Sequence, residues 1–284
     1  MGGDTALVLG GGGLTGIGWE AGILCGLAEA GVNLFDAELV VGTSAGSVVG
    51  AQLASGLLTP RELYERQTGD ASGERAARLG PGLLARYAGA MLRAKDARAY
   101  GARLGAMALA AETEPEEVRR EVLAGRLVSQ EWPDGPELPE LLVTAVDAVT
   151  GEFRAFGRDS GATLLEAVGA SCAVPGVWPP VTIGGRRWID GGMRSGTNAD
   201  LAAGYRRVVV LAPMPGGAGV LASARSLAEG LRAGGSSVLL VSPSREARRA
   251  FGRNVLDPAR RRPAAEAGLA QAEGVAAEAA SLWG

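Results

Sequence analysis

The stretch LVLGGGGLTGIGWEAGI, Leu7–Ile23, runs an apolar segment into four consecutive glycines, Gly10–Gly13, and then into a helix-like sequence. Glycine at that density, at a strand-to-helix junction, lets backbone N–H groups come close to a ligand. Two ligands fit such a loop: a dinucleotide pyrophosphate or the oxygen of a reacting ester. The same plan then repeats. A first helix over about Gly16–Ala30 is followed by a strand, ELVVG at 38–42, a Gly-containing turn and a helix over Ser44–Ser55. Continuously apolar strands alternating with helices predict a parallel sheet covered on both faces. Further strands are expected at Glu140–Val146, Phe153–Phe156, Arg207–Ala212 and Ser237–Val241. The expected fold is therefore α/β, three layers (α/β/α) with a mainly parallel central sheet. It is read as one domain over 1–284, with a cap-like helical insertion at about 60–130 and a terminal helix at about 258–283.

Composition narrows the chemistry. The chain has 284 residues, 47% hydrophobic and 21% charged, which is a globular balance. A net charge of -3 gives no field that would favour nucleic acid, so none is expected as a partner. Histidine is absent, which excludes a Ser-His-Asp triad, a Cys-His dyad and any zinc site built on imidazole. The two cysteines, Cys25 and Cys172, sit in apolar surroundings and read as buried small hydrophobes. Neither a metal nor a cofactor is expected. Residues 39–60 carry no charge, but their helical part, 44–57, would be only about 20 Å long against a hydrocarbon core of about 30 Å. It reads as a buried core helix. The segment MGGDTALVLG lacks a basic n-region, so the expected location is cytoplasmic, at most peripheral to the inner face of a membrane. Lys95 is the only lysine beside abundant Arg, Ala and Gly, which suggests a GC-rich bacterial source.

Gly11, Gly13 and Gly16 satisfy the G-x-G-x-x-G dinucleotide fingerprint, yet no acidic residue follows the second strand to hold a ribose, since Asp36 and Glu38 precede it. What does follow is Gly42-Thr43-Ser44-Ala45-Gly46, a G-x-S-x-G between strand and helix. In that setting the glycines permit a strained turn that lifts a serine hydroxyl clear of the sheet. With histidine absent, a carboxylate must serve as base. Asp190 stands out in RRWIDGG, where a short strand delivers it to a turn and Gly191 and Gly192 leave room for substrate. A lone D-G-G is otherwise a tight turn.

Taken together, these blocks resemble the patatin-like phospholipases, Ser-Asp dyad acyl hydrolases. The oxyanion loop GGGGLTG at Gly10–Gly16, the elbow GTSAG at Gly42–Gly46 and DGG at Asp190–Gly192 stand in the family's order, and ASCAVPGVWPPV at Ala170–Val181 is similar to its A-S-x-A-x-P segment. The resemblance spans residues 5 to about 200. It implies Ser44 as nucleophile, Asp190 as base and an oxyanion hole from the backbone of Gly11, Gly12, Gly13 and Ala45, supported by Gly42, Gly46, Gly191 and Gly192. It also implies hydrolysis of a lipid or other acyl ester, with peripheral membrane contact. The chain departs from the family at Thr15, where the loop usually carries Arg or Lys.

Several residues keep two readings. Asn198 either orients the aspartate loop or caps the helix starting near Asp200, the cap being preferred. Ser47 and Ser171 read as structural, and Trp178 and Trp188 as packing or as borders of an acyl pocket. Within 60–130, Leu83, Tyr87 and Met91, then Tyr100, Leu104 and Met107, recur at helical spacing beside Arg86, Arg93, Lys95, Arg98 and Arg103. They read as helices packed on the sheet, or as a cap resting on anionic headgroups. The rival functions are a weakly catalytic binding or regulatory protein on the same fold, a nicotinamide- or flavin-dependent oxidoreductase, and an acyltransferase.

Overall fold

The computed structural model describes residues 3–69 and 76–284, so residues 70–75 of the expected 60–130 insertion lie outside it, as do the first two residues. In chain order the elements are β1 (Thr5–Leu9), α1 (Gly13–Glu29), β2 (Leu39–Gly42), α2 (Ala45–Ala54), α3 (Pro60–Thr68), α4 (Pro81–Leu92), α5 (Ala97–Leu109) and α6 (Glu116–Arg126). They continue as β3 (Glu140–Asp147), β4 (Phe153–Phe156), α7 (Leu164–Ser171), β5 (Val181–Ile183), β6 (Arg186–Asp190) and β7 (Arg207–Leu211). The last are α8 (Ala224–Ala233), β8 (Ser237–Val241), α9 (Arg245–Phe251), α10 (Arg261–Ala272) and α11 (Ala276–Trp283).

The strands form one sheet in the order β5-β6-β3-β2-β1-β7-β8, with β4 also on β3. β1, β2, β3, β7 and β8 are parallel, whereas β4, β5 and β6 run antiparallel to their partners. The mainly parallel sheet is thus present, with an antiparallel margin that the apolar runs did not announce. Alternate residues of each strand face opposite layers. Leu7, Leu9, Val40, Val209 and Leu211 join a core with α1, α2, α3, α6, α7 and α10. Ala6, Val8, Leu39, Val41, Val208 and Val210 join a second core with α8. On that same side α5 packs Tyr100, Leu104 and Met107 on Val146 and Ile189, and α4 adds the half-buried Leu83, Tyr87 and Met91. The helices of the 60–130 stretch therefore divide between the two faces, α3 and α6 on one and α4 and α5 on the other. No helix among the described residues is long and apolar enough to cross a membrane.

Residues 258–283 are a 3-10 turn and two helices, α10 and α11, in place of the single helix expected. The register of α10 is set by glycines of α1 spaced four apart on one face. A Cβ on Gly18 would stand 2.4 Å from the Arg261 carbonyl oxygen, and one on Gly22 2.1 Å from that of Ala265. The two backbones therefore lie in direct contact, and Trp19 Nε1 donates to Gln271 Oε1 at 3.0 Å beside them. Gly22→Ala is expected to lower the unfolding free energy by about 1–3 kcal/mol, because the methyl has nowhere to go. Gly230→Ala on the exposed face of α8, where a Cβ would meet no atom within 4 Å, is expected to raise it by about 0.5–1 kcal/mol. Urea denaturation of both variants checks the pair.

Candidate active site

The candidate site lies at the carboxyl ends of β1 and β2, where ligands collect in parallel α/β sheets. Ser44 precedes the first residue of α2 and holds φ 52 and ψ -112, one of two non-glycine residues with positive φ among those described. Such a conformation costs of order 1–3 kcal/mol and persists only where its surroundings enforce it. Here they do. A Cβ on Gly42 would sit 2.6 Å from Ser47 Cα, and one on Gly46 2.1 Å from the Leu9 carbonyl oxygen, so only glycine lets α2 start this close to β1 and β2. Two serines hold the elbow by its peptide groups. The Ser44 N–H donates to Ser171 Oγ at 2.8 Å, and the Ser47 hydroxyl donates to the Ser44 carbonyl at 2.7 Å. Both serve structure, and the Ser44 hydroxyl makes no capping bond to the helix.

Asp190 reaches Ser44 through the edge of β3. β4 pairs with residues 143–146 of β3, so β2, on 140–143, and β6, on 145–147, must share the opposite edge in succession. β2 ends with Gly42 opposite Val143, and just beyond it the last residue of the antiparallel β6, Asp190, lies opposite Ala145. The serine turn and the carboxylate are thereby set side by side. Asp190 is 1% exposed. Its N–H donates to the Ala173 carbonyl at 3.1 Å, and its Oδ1 accepts from the Gly192 N–H at 2.7 Å. Gly191 is obligatory, since a Cβ there would meet Thr144 Oγ1 at 2.2 Å. Burial pushes the Asp190 pKa up to about 7, against smaller downward pulls from the Ser44 hydroxyl and the Gly192 N–H. The Ser44 hydroxyl is thus close enough to Asp190 to bear on its charge.

Beneath the pair, Asn198 is the hub. It stands at the N-cap position of the 3-10 turn Ala199–Ala202 with φ 50, but its side chain makes no capping bond, so the preferred cap reading is corrected. Its Nδ2 instead donates to the Gly191 carbonyl at 3.2 Å, the Ser195 carbonyl at 3.0 Å and the Thr43 hydroxyl at 3.1 Å. Its Oδ1 accepts from Arg194, which also forms a forked ion pair with Asp200. Asn198 therefore ties the aspartate loop to the serine turn. The sequence marks it only by distance from Asp190, which does not distinguish the two roles.

The glycine loop carries the donors. The Gly11 N–H is engaged by the Gly196 carbonyl at 2.8 Å, which removes Gly11 from the expected oxyanion hole. A Cβ at Gly11 would make only ordinary contact, with Ser44 Cβ at 3.5 Å. The N–H groups of Gly12, Gly13 and Ala45 have no acceptor among the described residues, and Gly13 needs glycine for its φ of 60. Thr15 is fully buried and its hydroxyl donates to the Gly12 carbonyl at 3.1 Å, steadying the loop without charge. A narrow cleft opens beside Ser44, lined among others by Gly13, Ala45, Cys172, Trp178, Arg119 and Arg126. Trp178 thus borders the cleft, whereas Trp188 is core packing, its ring 5.0 Å from that of Phe156. A wider hollow of about 1100 Å³ near Trp132 and Arg158 holds no serine paired with a buried carboxylate, so chemistry rather than volume assigns the site. Cys25 and Cys172 are both buried and free. Among the described residues no cluster of three or more Cys, Asp or Glu side chains is placed to hold a metal ion.

Set against known proteins, residues 7–203 match the family model described as patatin-like phospholipase. No curated protein matches the chain. Among solved structures it is similar to VipD from Legionella pneumophila, at 14% identity and a TM-score of 0.49, covering 97% of this chain and 67% of that one. It is also similar to the type III effector protein ExoU, at 14% identity and a TM-score of 0.40, covering 97% of this chain and 53% of that one. The chain therefore spans little more than half the length of ExoU.

The buried Asp190 links site and stability. Its folded pKa, about 7, lies above the ordinary 3.8, so between these values the native protein holds a proton that the unfolded chain has released. Its contribution to stability is full below about pH 4 and is lost as pH rises through 7. Asp190→Asn is expected to remove a decline of up to about 4 kcal/mol across that window. Urea midpoints of both proteins measured from pH 4 to 8 check this.

Proposed function

The chain belongs to the patatin-like phospholipase family, and on that premise we propose that it is a lipid acyl hydrolase working through Ser44 and Asp190. The observation that carries this reading is the buried Asp190 carboxylate set against a strained serine whose hydroxyl caps nothing. Ser44 Oγ attacks the ester carbonyl carbon as its proton passes to Asp190. The oxygen that gains charge lies within reach of the N–H groups of Gly12, Gly13 and Ala45, and losing one such donor costs roughly 3–4 kcal/mol. The tetrahedral adduct collapses, the bond to the alcohol breaks and Asp190 returns the proton to that alcohol. Water then attacks the acyl-serine carbonyl, gives its proton to Asp190, and Ser44 leaves with that proton as the carboxylic acid is released.

An ordinary aspartate is too weak a base to take a serine proton near neutral pH. Desolvation corrects this, since a carboxylate with a pKa of about 7 is matched to the working pH and still ionised in good part. The mechanism needs neither histidine nor a metal. The acyl-enzyme can in chemical terms pass its acyl group to an alcohol as well as to water, and water, being far more abundant, is the acceptor in this proposal. Contact with a membrane surface, where the substrates of such an enzyme reside, is part of the same proposal.

Labelling with a fluorophosphonate probe, followed by turnover of p-nitrophenyl esters of increasing chain length, tests the assignment. Wild type is expected to label, and Ser44→Ala to lose both labelling and more than about a thousandfold in kcat/KM. Asp190→Asn should lose comparable turnover while remaining folded. A folded wild type that neither labels nor turns over overturns the hydrolase reading. In active protein, kcat/KM should rise with pH along a single limb with an apparent pKa near 7, because the base works only once deprotonated. A profile already flat above pH 5 would rule out Asp190 as that base.

A further inference from the structure

The cleft beside Ser44 contains two charges that the proposed chemistry does not use. Arg119 and Arg126 both line it. They belong to α6 and are seven residues apart, so two helical turns place them on one face, about 10 Å apart along the axis. Leu123, on the same face, is 1% exposed and anchors the helix in the core. Arg119 is itself 5% exposed, and its guanidinium carbon lies 3.9 Å from the centroid of the Trp178 ring. That stacking fixes the plane of the fork and directs its N–H edge. At the far end of the helix, Arg66 donates to the Arg126 carbonyl at 3.0 Å and closes the last turn.

Both guanidiniums are felt at the wall of the nucleophile. Burial, and then the Asp190 charge, push the Cys172 thiol pKa up, while Arg119 and, less strongly, Arg126 pull it down. Cys172 Sγ lies 3.3 Å from the Ser44 carbonyl oxygen. Burying a guanidinium is costly unless an anion or an aromatic face compensates it. Neither arginine is without a partner in the protein. A guanidinium has five N–H donors, however, so one can serve a protein group and a ligand together. The glycine loop supplies no cation of its own, because Thr15 is buried and neutral. The positive charge of this site therefore comes from α6.

We propose that Arg119 and Arg126 form an oxyanion subsite that selects acyl esters whose alcohol portion carries net negative charge, a phosphomonoester above all, over zwitterionic and uncharged esters. The inference rests on the reading of Ser44 as nucleophile. A phosphate satisfies the fork of one arginine and lies in the field of the other. A phosphocholine head brings an ammonium into that same field and loses part of the gain.

The test compares kcat/KM for three esters with one palmitoyl chain: lysophosphatidic acid, lysophosphatidylcholine and monopalmitoylglycerol. Wild type is expected to prefer the lysophosphatidic acid by about ten- to a hundredfold over the glyceride, the range for a charge-assisted contact. The half-buried Arg126→Gln and the charge-conserving Arg119→Lys should each lower that ratio by about tenfold. A wild-type ratio near one, or a ratio unmoved in both variants, overturns the proposal and leaves the hydrolase reading standing. A second arm is independent of turnover: calorimetry of Ser44→Ala with octyl phosphate, octyl phosphocholine and inorganic phosphate. Preference for octyl phosphate, weakened about tenfold by Arg126→Gln, supports the subsite even if no ester is hydrolysed. Inorganic phosphate binding as tightly as octyl phosphate would make the occupant a free anion and overturn the substrate assignment.

Discussion

One edge of β3 receives two partners in succession, and the candidate site depends on that handover. β2 stops at Gly42 because the chain must turn sharply there into α2, and it leaves the later residues of β3 unpaired on that side. Unpaired backbone groups in a buried strand are costly, and β6 takes them, running the opposite way. The hydrogen bonds that complete the sheet are the same ones that carry Asp190 to the serine. Position in this site is a by-product of satisfying the backbone of β3, and side-chain contacts refine it.

That refinement is electrostatically expensive and is concentrated in few groups. A carboxylate 1% exposed is held by one backbone donor, by the Ser44 hydroxyl and by the rigidity of its loop, with no cation paired to it among the described residues. Had an arginine been paired directly with Asp190, the carboxylate would be ionised at every working pH and too weak a base to take a serine proton. The cations of the site stand instead on α6, across the cleft. Arg194, four residues beyond Asp190, is turned away to Asp200 and to the ring of Phe153, 4.2 Å from its centroid. On the proposed reading, base strength and anion recognition are thus kept on separate elements, which allows both in a small cleft.

Much of this was legible in the sequence, for steric reasons. G-x-S-x-G and D-G-G are readable because any side chain at Gly42, Gly46 or Gly191 collides with backbone or with Thr144, so the motif records the geometry. The apolar runs of β1, β2, β7 and β8 were equally plain, buried as they are on both faces. Other features depend on partners remote in sequence. Whether the Gly11 N–H is available is decided by the Gly196 carbonyl, and whether Asn198 caps or orients is decided by Thr43 and Gly191. β5 has only three residues, Val181–Ile183, and exists because β6 offers it an edge. Arg119 and Arg126 had a signal that went unread, two cations seven apart on a helix face otherwise carrying Leu123. The glycines at 18, 22 and 26 had one too, a four-residue spacing that marks close helix packing.

That last stripe bears on time. Trp19 and Gln271, hydrogen-bonded where α1 meets α10, are 252 residues apart, and the Thr15 N–H at the start of α1 donates to the Val255 carbonyl at 3.2 Å. The helix that presents the glycine loop is therefore synthesised about 250 residues ahead of its clamp. At about 5–20 residues per second that interval is roughly ten to fifty seconds. Throughout it, the bare glycine face of α1 has no backbone to lie against and the loop has no Val255 behind it. On the proposed reading, the glycine loop gains its full support, and any acyl-cleaving chemistry with it, only once synthesis has passed α10.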